Sequence, residues 1–115
     1  MNKLKNLDIK IFADGADLTS IENLNINQNI SGFTTNPSLM KKAGVTDYKA
    51  FCLDVLKLTK NKPVSFEIFS DDLEEMYDQA SEIASWSKNI FVKIPVTNSR
   101  GEKTSSLIKK LLENN

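Results

Sequence analysis

Apolar and polar positions along the chain follow two rhythms. Four short runs, at 8–14, 30–34, 63–69 and 89–96, are dense in β-branched and aromatic residues and have the length of strands. Helix signals fill the gaps between them. Asp17 opens a short, Asn-rich helix carrying Leu18, Ile21 and Leu24. Asn36-Pro37 reads as an N-cap with proline at the first helical position, and Gly44 ends that piece. A longer helix starts at Asp47, with Tyr48, Phe51, Cys52, Val55 and Leu56 on one face. Asp71-Asp72-Leu73-Glu74 has the form of a capping box ahead of a stripe of Leu73, Met76, Tyr77, Ala80, Ile83 and Ala84. A last helix over 103–112 presents Leu107, Ile108, Leu111 and Leu112. The order is strand then helix, four times over.

Repeated βα units predict an α/β fold with a parallel sheet and right-handed crossovers. Four units make half of a (β/α)8 (TIM) barrel or a small open sheet, organised as one domain over 1–115. Strand parity supports the half barrel. With a period of two, Phe12 and Asp14 share a face, as do Gly32, Thr34 and Asn36; Ser65, Glu67 and Phe69; and Phe91, Lys93 and Pro95. The opposite faces (Ile9-Ile11-Ala13, Phe33 with Ile30, Val64-Phe66-Ile68, Ile90-Val92-Ile94) are apolar and suit a layer of helices. The mixed faces set Asp14, Thr34, Asn36, Glu67 and Lys93 near the C-terminal strand ends, where a barrel carries its chemistry.

Composition narrows the chemistry. Fifteen basic and fifteen acidic residues cancel, so no nucleic-acid or anionic-membrane partner is expected. With no histidine and a single cysteine, His-based triads, zinc clusters and an internal disulfide are excluded, and no metal site or cofactor is expected. The first residues lack the apolar core of a signal peptide, no run approaches the length of a membrane span, and the lone thiol suits a reducing cytoplasm.

Lys93 is the residue that most needs a reason, because it interrupts the apolar run Ile90-Phe91-Val92-Lys93-Ile94-Pro95-Val96. A desolvated lysine is held neutral and can attack a carbonyl to form a Schiff base. Carboxylates at the same mouth could move the protons that carbinolamine formation and dehydration require. Each residue also has a plain structural reading. Lys93 could snorkel, Asp14 could form the turn at Gly15, Asn36 could serve only as a helix cap, and Glu67 could form a structural ion pair with Lys93. Thr34 and Thr35 suit a strand end, and Cys52 suits the core.

Taken together, the motifs are more specific. Gly32-Phe33-Thr34-Thr35-Asn36-Pro37-Ser38 resembles the Gly-x-Thr-Thr-Asn-Pro-Ser signature of the transaldolase family. Val92-Lys93-Ile94-Pro95-Val96-Thr97 resembles that family's Schiff-base lysine segment. Phe12-Ala13-Asp14 and Phe66-Glu67 are similar to its first-strand and third-strand acids. The resemblance implies a class I aldolase reaction on a sugar phosphate, with Lys93 as nucleophile, Asp14 as general acid/base and Glu67 positioning the catalytic water. Thr34, Thr35 and Asn36 would bind the substrate. Glutamate at 67 leans toward transaldolases, since the related fructose-6-phosphate aldolases usually carry glutamine there. Gly15-Ala16-Asp17 departs from the commoner Thr/Ser-Ala-Asn.

The resemblance covers the first half of a usual family member, without the later strands that bring a further threonine and the Arg and Ser of the phosphate grip. Two arrangements are expected from this: a piece of a longer protein, or a half that self-associates or pairs with a partner. A non-catalytic half-barrel module acting through its edges is the alternative to the enzyme.

Overall fold

The computed structural model describes residues 6–114. The first five residues, included above in the comparison with signal peptides, lie outside the described residues. Four parallel strands, β1 (Ile11–Asp14), β2 (Ile30–Thr34), β3 (Val64–Glu67) and β4 (Ile90–Lys93), pair in the order β1-β2-β3-β4. Between and after them run α1 (Leu18–Asn25), α2 (Pro37–Lys42), α3 (Tyr48–Thr59), α4 (Leu73–Ser85) and α5 (Ser105–Glu113). This is the arrangement of the first half of a (β/α)8 barrel, with the sheet left open.

The apolar parity face builds the core. Phe33, Val64, Phe66 and Ile68 pack against Phe51, Val55, Met76 and Ile83 from the helices. Local signals set most of the helix starts. Asn36 Oδ1 accepts from the Leu39 amide at 2.9 Å and Pro37 follows it, as read from the sequence. Asp47 caps α3 by accepting from the Ala50 amide at 3.0 Å. Asp72 caps α4 by accepting from the Glu74 and Glu75 amides, which releases Asp71 for another contact. Asp17 stands at the N-cap of α1 without capping it, and accepts instead from the Ser20 hydroxyl at 2.7 Å.

Three strands are shorter than their hydrophobic runs. Pairing requires a neighbour as well as a pattern, and the prolines at 63 and 95 bring no N–H to the ladder. The last helix starts later than expected, because Thr104 turns its hydroxyl back to the Pro95 carbonyl at 2.5 Å. Gly32 lies where two backbones and a ring meet. A Cβ there would fall 2.5 Å from the Pro63 carbonyl oxygen and 2.6 Å from the Phe12 ring.

Past β4 the apolar layer is uncovered. A groove of about 470 Å³ between α4, β4 and α5 is lined by Ala80, Ile90, Val92, Ile94, Ile108 and Leu111.

Candidate active site

Asp14, Thr34, Glu67 and Lys93 are each the last residue of their strand. They form two pairs. Asp14 is the register partner of Thr34, whose hydroxyl donates to Asp14 Oδ1 at 2.8 Å. Glu67 is the register partner of Lys93, with Lys93 Nζ 3.8 Å from Glu67 Oε2. Thr34 is level with Ser65 and Ser65 with Phe91. The Asp14–Thr34 pair therefore sits two residues below the Glu67–Lys93 pair, on the same sheet face.

Asn36 joins the upper pair. Its side chain caps α2, so the plain structural reading holds, yet it also lines a depression of about 400 Å³ with Glu67, Phe69, Ser70 and Pro95. The Asn36 Nδ2 group, unused in the cap, remains available as a donor. Thr35 is not brought into this row. It points to the opposite face, is 2% exposed, and its hydroxyl has no partner among the described residues. Only its amide contributes near the site, donating to the Ser65 carbonyl at 3.2 Å.

Burial of Lys93 differs from the expectation. Its side chain is 45% exposed and Glu67 24%, and Phe91 on the same face is 63% exposed. The apolar neighbours Val92 and Ile94 point the other way, into the helix layer, so sequence context does not desolvate the amine. Desolvation would have to come from whatever covers the open inner face.

Two supports were not legible as site residues. The Tyr48 hydroxyl, from α3, donates to the Glu67 carbonyl, and burial pushes its titration well above the usual phenol range. Asp71, four residues beyond Glu67, holds the loop that follows Lys93 through Asn98 and Ser99. Cys52 is fully buried in the core, with its thiol pushed up to about 12 by burial. Among the described residues no group of three or more His, Cys, Asp and Glu could hold a metal, and no helix is long and apolar enough to cross a membrane.

The sequence profile described as Transaldolase/Fructose-6-phosphate aldolase matches residues 11–115. The chain belongs to this family. A probable transaldolase of Dehalococcoides mccartyi is 40% identical over 102 residues, which cover 89% of this chain and 47% of that protein. Probable transaldolases of Streptococcus agalactiae serotype V and Thermoanaerobacter sp. are 36% and 38% identical, over 93% and 89% of this chain. The chain spans about half the length of the curated relatives it matches.

Proposed function

We propose that this chain is the Schiff-base-bearing half of a transaldolase that moves a dihydroxyacetone unit from a ketose phosphate to an aldose phosphate. The observation that carries the reading is the Lys93–Glu67 pair at adjacent strand ends, inside the family's lysine and third-strand acid motifs.

Lys93 Nζ, in its neutral form, adds to the ketose carbonyl carbon, and the carbinolamine then loses water to give an iminium. Glu67 holds that water and returns it for hydrolysis, a role supported by its carboxylate lying 3.8 Å from Lys93 Nζ. Asp14 takes the proton from the C4 hydroxyl as the C3–C4 bond breaks. The bonding electrons move into the iminium, giving a lysine-bound enamine and a free aldose. Addition of the enamine to an acceptor aldehyde reverses the sequence, and hydrolysis frees Lys93. Thr34 holds Asp14 in orientation through the 2.8 Å hydrogen bond, and Asn36 offers its amide donor to the substrate oxygens.

The phosphate grip would come from a second half, covalently continuous or separate, placed over the open inner face. A role in cytoplasmic carbohydrate metabolism fits this substrate class. The second reading, a fructose-6-phosphate aldolase, ends with protonation of the enamine and release of free dihydroxyacetone. Glu67 in place of glutamine favours transfer.

The test is product analysis with a complete barrel carrying this half. Fructose 6-phosphate and erythrose 4-phosphate should yield glyceraldehyde 3-phosphate and a seven-carbon ketose phosphate. Dihydroxyacetone release without need of an acceptor would support the aldolase. Absence of both products would overturn the enzymatic reading.

A further inference from the structure

Beyond Glu67 and Lys93, strands β3 and β4 stop pairing. The last bond between them runs from the Ile68 amide to the Lys93 carbonyl at 3.2 Å. The two chains then part around the depression, with Phe69 and Ser70 on one side and Pro95 on the other. They are tied together again further on. Asn98 Nδ2 donates to the Asp71 carbonyl at 3.1 Å, and the Ser99 amide donates to Asp71 Oδ1 at 2.8 Å. The Ser99 hydroxyl donates to the other Asp71 carboxylate oxygen.

The tied loop is itself rigidly bonded. Asn98 is 6% exposed; its Oδ1 accepts from the Arg100 and Glu102 amides at 3.1 and 2.9 Å, and its Nδ2 also donates to Glu102 Oε1 at 3.0 Å. Both donor and both acceptor positions of that amide are thereby used. Arg100 Nε closes on Glu102 Oε1 at 2.9 Å, and the Thr104 amide returns to the Val96 carbonyl at 3.0 Å.

The Lys93–Glu67 pair cannot set its own geometry. At 3.8 Å it is too long for a hydrogen bond, and with both groups partly exposed its attraction is weak. The backbone on either side has to fix it. The ladder does so from below. From above, the nearest tie between the two strands' continuations is the Asp71 clasp.

We propose that the Asp71 carboxylate, acting through Ser99, is a positioning residue for the Lys93–Glu67 pair, holding the loops that leave β3 and β4 at the separation that keeps amine and carboxylate together; the Asn98 bond to the Asp71 backbone carbonyl does not depend on that side chain. This deepens the transaldolase reading and rests on it for the use made of the pair. A reacting amine displaced from the group that holds its water loses rate steeply.

Zero-length carbodiimide cross-linking tests the claim on the chain as it stands, with products quantified by mass spectrometry. The Lys93–Glu67 amide is read against the Lys49–Glu82 amide, a pair 4.0 Å apart that bridges α3 and α4 away from the clasp. Asp71→Ala should lower that ratio at least threefold. Asp71→Asn, which keeps an acceptor for the Ser99 amide, should stay within twofold of wild type. An unchanged ratio in Asp71→Ala, or no Lys93–Glu67 product in wild type, would overturn the proposal. So would a parallel fall of both products, because Asp71 would then hold the fold rather than the pair. No sugar is involved, so failure of imine chemistry would remove the functional reading and leave this result standing.

Discussion

Glu67 and Lys93 face each other across the β3–β4 ladder as register partners, with amine and carboxylate 3.8 Å apart. A lysine that interrupts one apolar strand and a glutamate that interrupts the next are thus one feature of the fold. Parallel pairing of the two runs in this register brings both to the same level at the strand ends.

Gly32 should not tolerate a methyl group. Its Cβ would meet the Pro63 carbonyl oxygen, to which the Phe33 amide also donates at 3.0 Å, so relief requires moving the β2–β3 pairing. Gly32→Ala should cost about 1–3 kcal/mol, the range for overpacking a well-filled site. Urea denaturation would show it as a lower midpoint. A midpoint equal to wild type would mean that the close approach of strand and ring is not there.

Acid should release the clasp only late. Hydrogen bonds from the Ser99 hydroxyl and amide hold the Asp71 carboxyl below its ordinary value, and Asn98 and Arg100 do the same for Glu102. A carboxylate depressed on folding contributes stability above its unfolded pKa and loses it as pH falls through the folded one. The Ser99 amide shift should therefore stay flat from neutrality to about pH 5 and move only below the ordinary range of about 4. A midpoint at or above that range would contradict the contacts.

The exposed inner face and edges should drive association of the 115-residue chain. Phe91, Phe69 and Leu112 are all exposed, and among the described residues β1 and β4 each have an unpaired edge. Sedimentation should find dimers or larger species, or a marginally stable fold, together with little transaldolase turnover. A well-behaved monomer with family-typical turnover is the contrary outcome.

The sequence made the repeating βα order and the strand parity legible because a period of two sorts core from site without knowledge of neighbours. Asn36-Pro37 and Asp47 were legible as caps because capping is local. Strand ends were less so, since Ile68 and Ile94 continue the pattern after the ladder has stopped. Exposure of Lys93 was hidden because its flanking apolar residues serve the other face. Asp71 falls in the capping-box pattern that Asp72 fills alone, and its real partners, Asn98 and Ser99, lie 27 and 28 residues away, beyond the reach of any local pattern. Thr35 sits beside Thr34 in sequence and across the sheet from it in space.

Borohydride trapping tests the central claim most directly. In a complete barrel containing this half, reduction in the presence of fructose 6-phosphate should leave a three-carbon adduct on Lys93, and Lys93→Arg should abolish it, since arginine keeps the charge but cannot form the imine. An adduct on Lys88, or one that survives Lys93→Arg, would contradict the assignment.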